Sequence, residues 1–215
     1  MSGTLLLHSR YDDDSQLLWQ AAVNRGWRIE RANGYSTDAT NVTAIYGGYM
    51  WGAEIAPSVG ATLVSPDPAW TVTLPADLAL RRIWCGSLGD ALDSNFAFPV
   101  FAKSLHRKQF EARVYNSRDD MPRLGADVDV LYSEPVRFTF EWRTFVLDGE
   151  IVTASCYAKD GLLFVSAVDD PSPLLAWARE SVRRLSGGLP SAVVVDVGIL
   201  SDGRRAVVEA NPAWC

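Results

Sequence analysis

Cysteine and histidine are scarce, with three and two copies among 215 residues. Cys85, Cys156 and Cys215 are widely spaced and odd in number, which argues against a disulfide framework or a zinc cluster and fits a reducing cytoplasm. With so few histidines no Ser-His-Asp spacing can be traced, and the cysteines read as small hydrophobes or surface thiols. Long apolar runs are missing too. None approaches the length of a membrane span, and the opening MSGTLLLHSR lacks the apolar region of a secretory leader. A cytoplasmic protein with no membrane role is expected. Positive charge is in deficit: 20 Lys and Arg face 26 Asp and Glu, for a formal net charge of −6. This disfavours nucleic acid as a partner, although a local basic channel stays open. Gly47-Gly48 lacks the spacing of a dinucleotide fingerprint, and no internal repeat or low-complexity tract is visible.

What is present suits a folded protein. Hydrophobic residues make up 48% and charged residues 21%, and the length allows one large domain or two small lobes. Eight tryptophans supply large buried area and need not signal ligand stacking. Thr4 to His8 reads as a strand, and Asp12 to Ser15 as the cap of a helix through Leu17, Leu18, Ala21 and Ala22. Gly26 ends that helix and Trp27 to Arg31 alternates as a second strand, making a β-α-β opening. A third strand over Asn41 to Tyr46 and a short helix over Tyr49 to Ile55 follow. Pro75 opens a helix expected to run to Trp84 or beyond, on which Arg81 and Arg82 would be solvated, the alternative being that they meet a substrate carboxylate. Composition changes near Asn95, so residues 1–95 are expected to form a small α/β lobe and 96–215 a second domain.

The second domain reads as antiparallel strands with one helix. Phe96 to Ala102 and Phe110 to Tyr115 form a hairpin around a basic loop of Lys103, His106, Arg107 and Lys108. Val128 to Tyr132 is a strand, and Phe138 to Leu147 returns through Asp148-Gly149 into Ile151 to Tyr157. Pro171 to Leu185 is an amphipathic helix stopped by Gly187-Gly188. The last stretch, AVVVDVGILSDGRRAVVEANP, is a hairpin around Asp202-Gly203. Glu209 and Asn211 share one face of its second strand, and Asp196 reaches them if the strands pair. Three converging oxygen donors suit Mg²⁺ together with phosphate oxygens. The competing reading is a plain hairpin whose acids face solvent.

In this order the segments resemble the ATP-grasp superfamily, in particular its small clade named for one arginine and two lysines. The resemblance rests on FPVFAKS at Phe98 to Ser104, KQF at Lys108 to Phe110, SEPV at Ser133 to Val136 and EWRTFVLDGEIV at Glu141 to Val152. VVVDVGIL at Val193 to Leu200 and VVEANPAW at Val207 to Trp214 complete it. It implies an α+β ATP-grasp fold: a reduced N-terminal α/β lobe, then antiparallel sheets holding the nucleotide. It implies that Lys103 and Lys108 contact ATP phosphates, that Glu134 and Val136 border adenine, and that Glu141 holds the ribose. Arg143 and Lys159 would meet transferring phosphate. Asp196, Glu209 and Asn211 would hold Mg²⁺ or Mn²⁺. Lys103 and Arg143 would be the catalytic cations, stabilising charge as it develops.

The implied reaction is ATP-dependent ligation of a small carboxylate to an amine through an acylphosphate, with an amino acid or short peptide as substrate. A kinase or other phosphoryl transferase on the same fold is the alternative, as is a non-catalytic nucleotide-binding protein. Two departures stand out. Val194 occupies a position where many relatives carry an arginine, so Arg143 would take over its electrostatic work. The chain also ends soon after the last motif, which leaves a partner or a homo-oligomer open as the source of the acceptor pocket.

Overall fold

The computed structural model describes residues 3–106, 108–167 and 172–213. Arg107, Pro171, Trp214 and Cys215, named above, lie outside the described residues. The chain forms two compact units, one reaching to Val64 and the other Ser65–Ala213.

In the first unit, strands β1 (Thr4–His8), β2 (Arg28–Ala32) and β3 (Val42–Tyr46) form a parallel sheet in the order β2-β1-β3. The central place of β1 explains its unbroken leucines. Leu5 and Leu7 pack with Ala22 on one side, and Leu6 packs with Trp51 and Ile55 on the other. Helix α1 (Asp13–Asn24) starts at a reciprocal cap: the Ser15 N–H donates to Asp12 Oδ1 at 2.7 Å, and the Asp12 N–H donates to Ser15 Oγ at 3.2 Å. Helix α2 (Tyr49–Ile55) has the expected span.

The second unit holds two antiparallel sheets. The first contains β4 (Ile83–Ser87), β5 (Val100–Ser104), β6 (Arg113–Tyr115) and β7 (Asp129–Ser133), in the order β4-β7-β5-β6. The boundary expected at residue 95 therefore falls inside this unit, because β4 pairs along its whole length with β7. The helix expected to run from Pro75 to Trp84 is also shorter. Helix α3 covers only Ala76–Ala79, and Leu80 turns into the left-handed region (φ 51°), freeing the next residues for β4.

The second sheet contains β8 (Phe138–Leu147), β9 (Glu150–Lys159), β10 (Leu162–Ala167), β11 (Ala192–Leu200) and β12 (Arg205–Pro212), in the order β10-β9-β8-β11-β12. Strand β10 was not expected. Its turn signal is Asp160-Gly161, both at positive φ (51° and 77°). Helix α4 (Pro173–Leu185) begins at its Ser172 cap, whose hydroxyl accepts from the Leu174 N–H. It buries Leu174, Ala178, Val182 and Leu185 against Val193, Val195, Val197 and Val207 of β11 and β12. β11 thus shows its odd-numbered valines to the helix and its even-numbered residues to the opposite face.

Candidate active site

That opposite face carries the chemistry. Asp196 lies in β11 between Arg143 of β8 and Glu209 of β12, directly across from each. Arg143 forms a fork on it: Nε donates to Asp196 Oδ1 at 3.1 Å and Nη2 to Oδ2 at 2.8 Å. Asn211 Nδ2 donates to Asp196 Oδ2 at 3.3 Å and to Glu209 Oε1 at 3.0 Å. Across the space between the sheets, Lys103 Nζ at the end of β5 pairs with Glu209 Oε2 at 2.7 Å. Lys103, Glu209, Asn211, Asp196 and Arg143 thus form one connected chain.

The two acids differ. The Asp196 side chain has 0% exposure while Arg143 keeps 40%. Burial pushes the Asp196 carboxyl up, and the Arg143 fork only partly offsets this. For Glu209 burial acts in the same direction, but Lys103, Asn211 and Arg143 together outweigh it and hold the carboxyl below the usual glutamate range.

A cavity of about 320 Å³ opens beside this chain. Its walls are apolar over much of their area, from Ile83, Phe101, Leu131, Val136, Phe138 and Val208. Its polar groups come from Lys103, Glu209, Glu141, Tyr157, Arg81 and Thr71. A mostly apolar slot with charged groups gathered at one place has the form of a site for a ligand with a flat apolar part and an anionic part. Glu141 accepts a hydrogen bond from Tyr157 OH at 2.9 Å, and the Arg143 guanidinium lies 5.0 Å from the Tyr157 ring centre. Burial first, then Asp196 and Glu141, push the Tyr157 hydroxyl up, so it stays a proton donor near neutrality.

Of the residues singled out in the sequence, Lys103, Val136, Glu141 and Glu209 line the cavity, and Arg143, Asp196 and Asn211 connect to it through Glu209. Three neither line it nor join that chain. Lys108 is exposed in the loop after β5. Glu134 turns its carboxylate to the Arg82 N–H, which donates to Oε2 at 2.8 Å. Lys159 ends β9 and packs over Phe140 and Phe164, at 5.3 and 5.8 Å from their centres.

Sequence reasoning did not place Arg81, Tyr157 or Thr71 in this cavity. Arg81 follows the truncated α3 and is partly buried, its guanidinium brought down to about 10 by burial and so still charged at neutral pH. Thr71 Oγ1 is buried with no hydrogen-bond partner among the described residues. Tyr157 carried a signal: two strands meeting at Asp148-Gly149 bring it beside Glu141. Arg81 carried none, since its partners lie in β12, far along the chain.

The donor set fits a hard divalent cation. Among the described residues no group of three His, Cys, Asp or Glu side chains could hold a metal, but two carboxylates and an amide meet here. The Asn211 amide already sits between carboxylate oxygens of both acids, where a cation would be attracted. A half-turn of the amide would present its oxygen instead. The two acids are balanced by Arg143 and Lys103, so this chain of side chains carries no surplus positive charge.

The family described as an ATP-grasp domain, family 2 of the clade named for one arginine and two lysines, matches residues 78–215. No curated protein matches the sequence. Solved structures do resemble the fold. A RimK domain protein ATP-grasp from Sphaerobacter thermophilus DSM 20745 aligns with a TM-score of 0.63 at 19% identity, covering 100% of this chain and 92% of that one. The ATP-grasp ligase PsnB complexed with minimal precursor aligns at 0.62 and 15% identity, covering 99% and 91%. The D-alanine–D-alanine ligase from Bacillus anthracis aligns at 0.61 and 11% identity, covering 99% and 87%.

Proposed function

Because the chain belongs to the arginine-and-two-lysines clade of the ATP-grasp superfamily, we propose that it joins a small carboxylate to an amine at the expense of ATP. The observation that carries this reading is the connected chain Lys103–Glu209–Asn211–Asp196–Arg143 at one side of an apolar slot. The slot takes the base, with Phe101, Leu131 and Phe138 supplying apolar contact and Glu141 accepting from the ribose hydroxyls. Asp196, Glu209 and Asn211 would hold Mg²⁺, or Mn²⁺ in its place. When bound, the metal neutralises phosphate oxygens and orients the terminal phosphoryl group.

The chain's own cations do the rest. Lys103 is the mobile partner: its ammonium rests on Glu209 and is free to turn to a phosphate oxygen once Glu209 has another partner. Arg143 is held by its fork on Asp196, and its guanidinium, 40% exposed, would stabilise the charge of an acylphosphate. An amine attacking that acylphosphate would release phosphate and leave the amide. No covalent enzyme nucleophile is needed, so catalysis rests on positioning and charge. The substrate is assigned to the amino acid or short peptide class. The ligase neighbours support that choice, one acting with D-alanine by its name and one bound to a precursor.

The test is ADP and phosphate release from Mg²⁺-ATP with pooled amino acids and dipeptides, with product masses read in parallel. Acceptor-dependent ADP release with a new amide mass is expected. It should fall roughly 10²–10³-fold in Lys103→Met, which lacks the phosphate-directed charge. A phosphorylated acceptor without amide would replace the ligase by a phosphoryl transferase. ATP binding without turnover would favour a binding protein.

A further inference from the structure

Strand β12 carries one residue more than its partner can match. Arg205, Ala206 and Val207 pair with Ile199, Gly198 and Val197, but the next pair is Asp196 with Glu209. Val208 is the extra residue of a β-bulge. The bulge decides where the acids point. Directly opposed residues share a face, and faces alternate along each strand. Continued without the bulge, the register would place Glu209 opposite Val195 and Asn211 opposite Val193. Those valines face α4 and are fully buried. Asp196 would then stand alone on the site face.

A bulge interrupts the ladder, and β12 is the outer strand of its sheet, with no further strand to steady it. One side chain covers the gap. Arg81 Nη1 donates to Val207 O and Nη2 to Val208 O, each at 2.9 Å. Nη1 also donates to Ala79 O at 3.0 Å, which ties the guanidinium to α3. The Phe138 ring lies 5.6 Å away, and among the described residues no carboxylate forms an ion pair with Arg81. A partly buried guanidinium that donates to the carbonyls of an irregularity, with Glu209 and Glu141 near enough to favour its charge, is placed to hold that irregularity.

We propose that Arg81 is a positioning residue: it locks the bulge at Val208 and so keeps Glu209 and Asn211 on the face of Asp196. The inference builds on the reading of these three residues as a cation site. A lysine could not substitute, since a single ammonium lacks the planar fork that spans two adjacent carbonyls.

The test uses the full-length protein and its Arg81→Met and Arg81→Lys variants. Cross-strand nuclear Overhauser contacts of Asp196 report the register with no metal present. Mn²⁺ affinity is read by electron paramagnetic resonance. In both variants the Asp196 contacts should shift from Glu209 toward Val208. Mn²⁺ affinity should fall about 10- to 100-fold, as for loss of other groups that orient ligands. Deleting Val208 in the Arg81→Met background brings Glu209 opposite Asp196 without a bulge, and should restore both the contact and the affinity. Retained Asp196–Glu209 contacts in either folded variant would overturn the proposal, as would unchanged Mn²⁺ affinity or a folded deletion variant that restores neither. If the wild-type protein shows the contact yet binds no Mn²⁺, the cation reading fails, while the contacts in the variants still decide the role of Arg81.

Discussion

At the scale of single residues, Asp196 and Arg143 show how one ion pair serves two ends. Asp196 is wholly buried, and its carboxylate is tolerated because a guanidinium fork and an amide meet it. Removing the cation leaves the acid uncompensated. Arg143→Met should destabilise the fold by about 3 kcal/mol, at the low end for a broken buried pair because the arginine is partly exposed. Urea unfolding checks this. The double variant Arg143→Met/Asp196→Leu should recover most of that stability, since an apolar pair of similar size removes the desolvation burden. It should not recover Mg²⁺-dependent ATP turnover. Recovery of turnover together with stability would mean that the pair has no functional part.

At the scale of elements, β11 has two jobs separated by the pleat. Its odd-numbered residues build the core under α4, and its even-numbered ones build the site. Gly198 belongs to the second set, opposite Glu141. A Cβ added there would collide with the Phe138 ring and come within 3.0 Å of Phe140 O. Phe138 is a cavity wall, so Gly198→Ala should push its ring into the slot. A stability loss of about 1–3 kcal/mol is expected from overpacking, with a larger proportional loss of ATP affinity than of Mn²⁺ affinity. Titration with each ligand separately distinguishes this from general loosening, which would lower both alike.

At the scale of the whole molecule, the second unit depends on a separate aromatic core within the β4-β7-β5-β6 sheet. Tyr132 lies at its centre, 0% exposed, stacked on Trp84 with its hydroxyl donating to Ser87 O at 2.8 Å. Burial and the nearby charge of Asp90 push that hydroxyl up to about 12. A raised folded value means that the stabilisation is complete below the unfolded value near pH 10. It is then lost as pH rises from about 10 to 12. The loss across this window should be about 2–3 kcal/mol. Tyr132→Phe should be less stable near neutrality by one hydrogen bond, yet its midpoint of thermal unfolding should fall less steeply between pH 10 and 12. Parallel slopes for the two proteins would rule out Tyr132 as the source.

Local pattern determined much of this protein. The β-α-β opening, the two-residue period of β8 and β11 and the apolar stripe of α4 follow from side-chain spacing, because helix and strand repeats are properties of neighbouring residues. The grouping of Asp196, Glu209 and Asn211 was legible as a possibility, since Asp202-Gly203 announces the hairpin that joins their strands. Whether they share a face was not, for it turns on one unpaired residue, Val208, which no local repeat marks. Nor could the spacing tell that Lys103 meets Glu209, that Arg81 reaches the β12 edge, or that β4 belongs with β7. Those contacts join segments far apart in the chain, and their energies exist only once the sheets have closed around a common cavity.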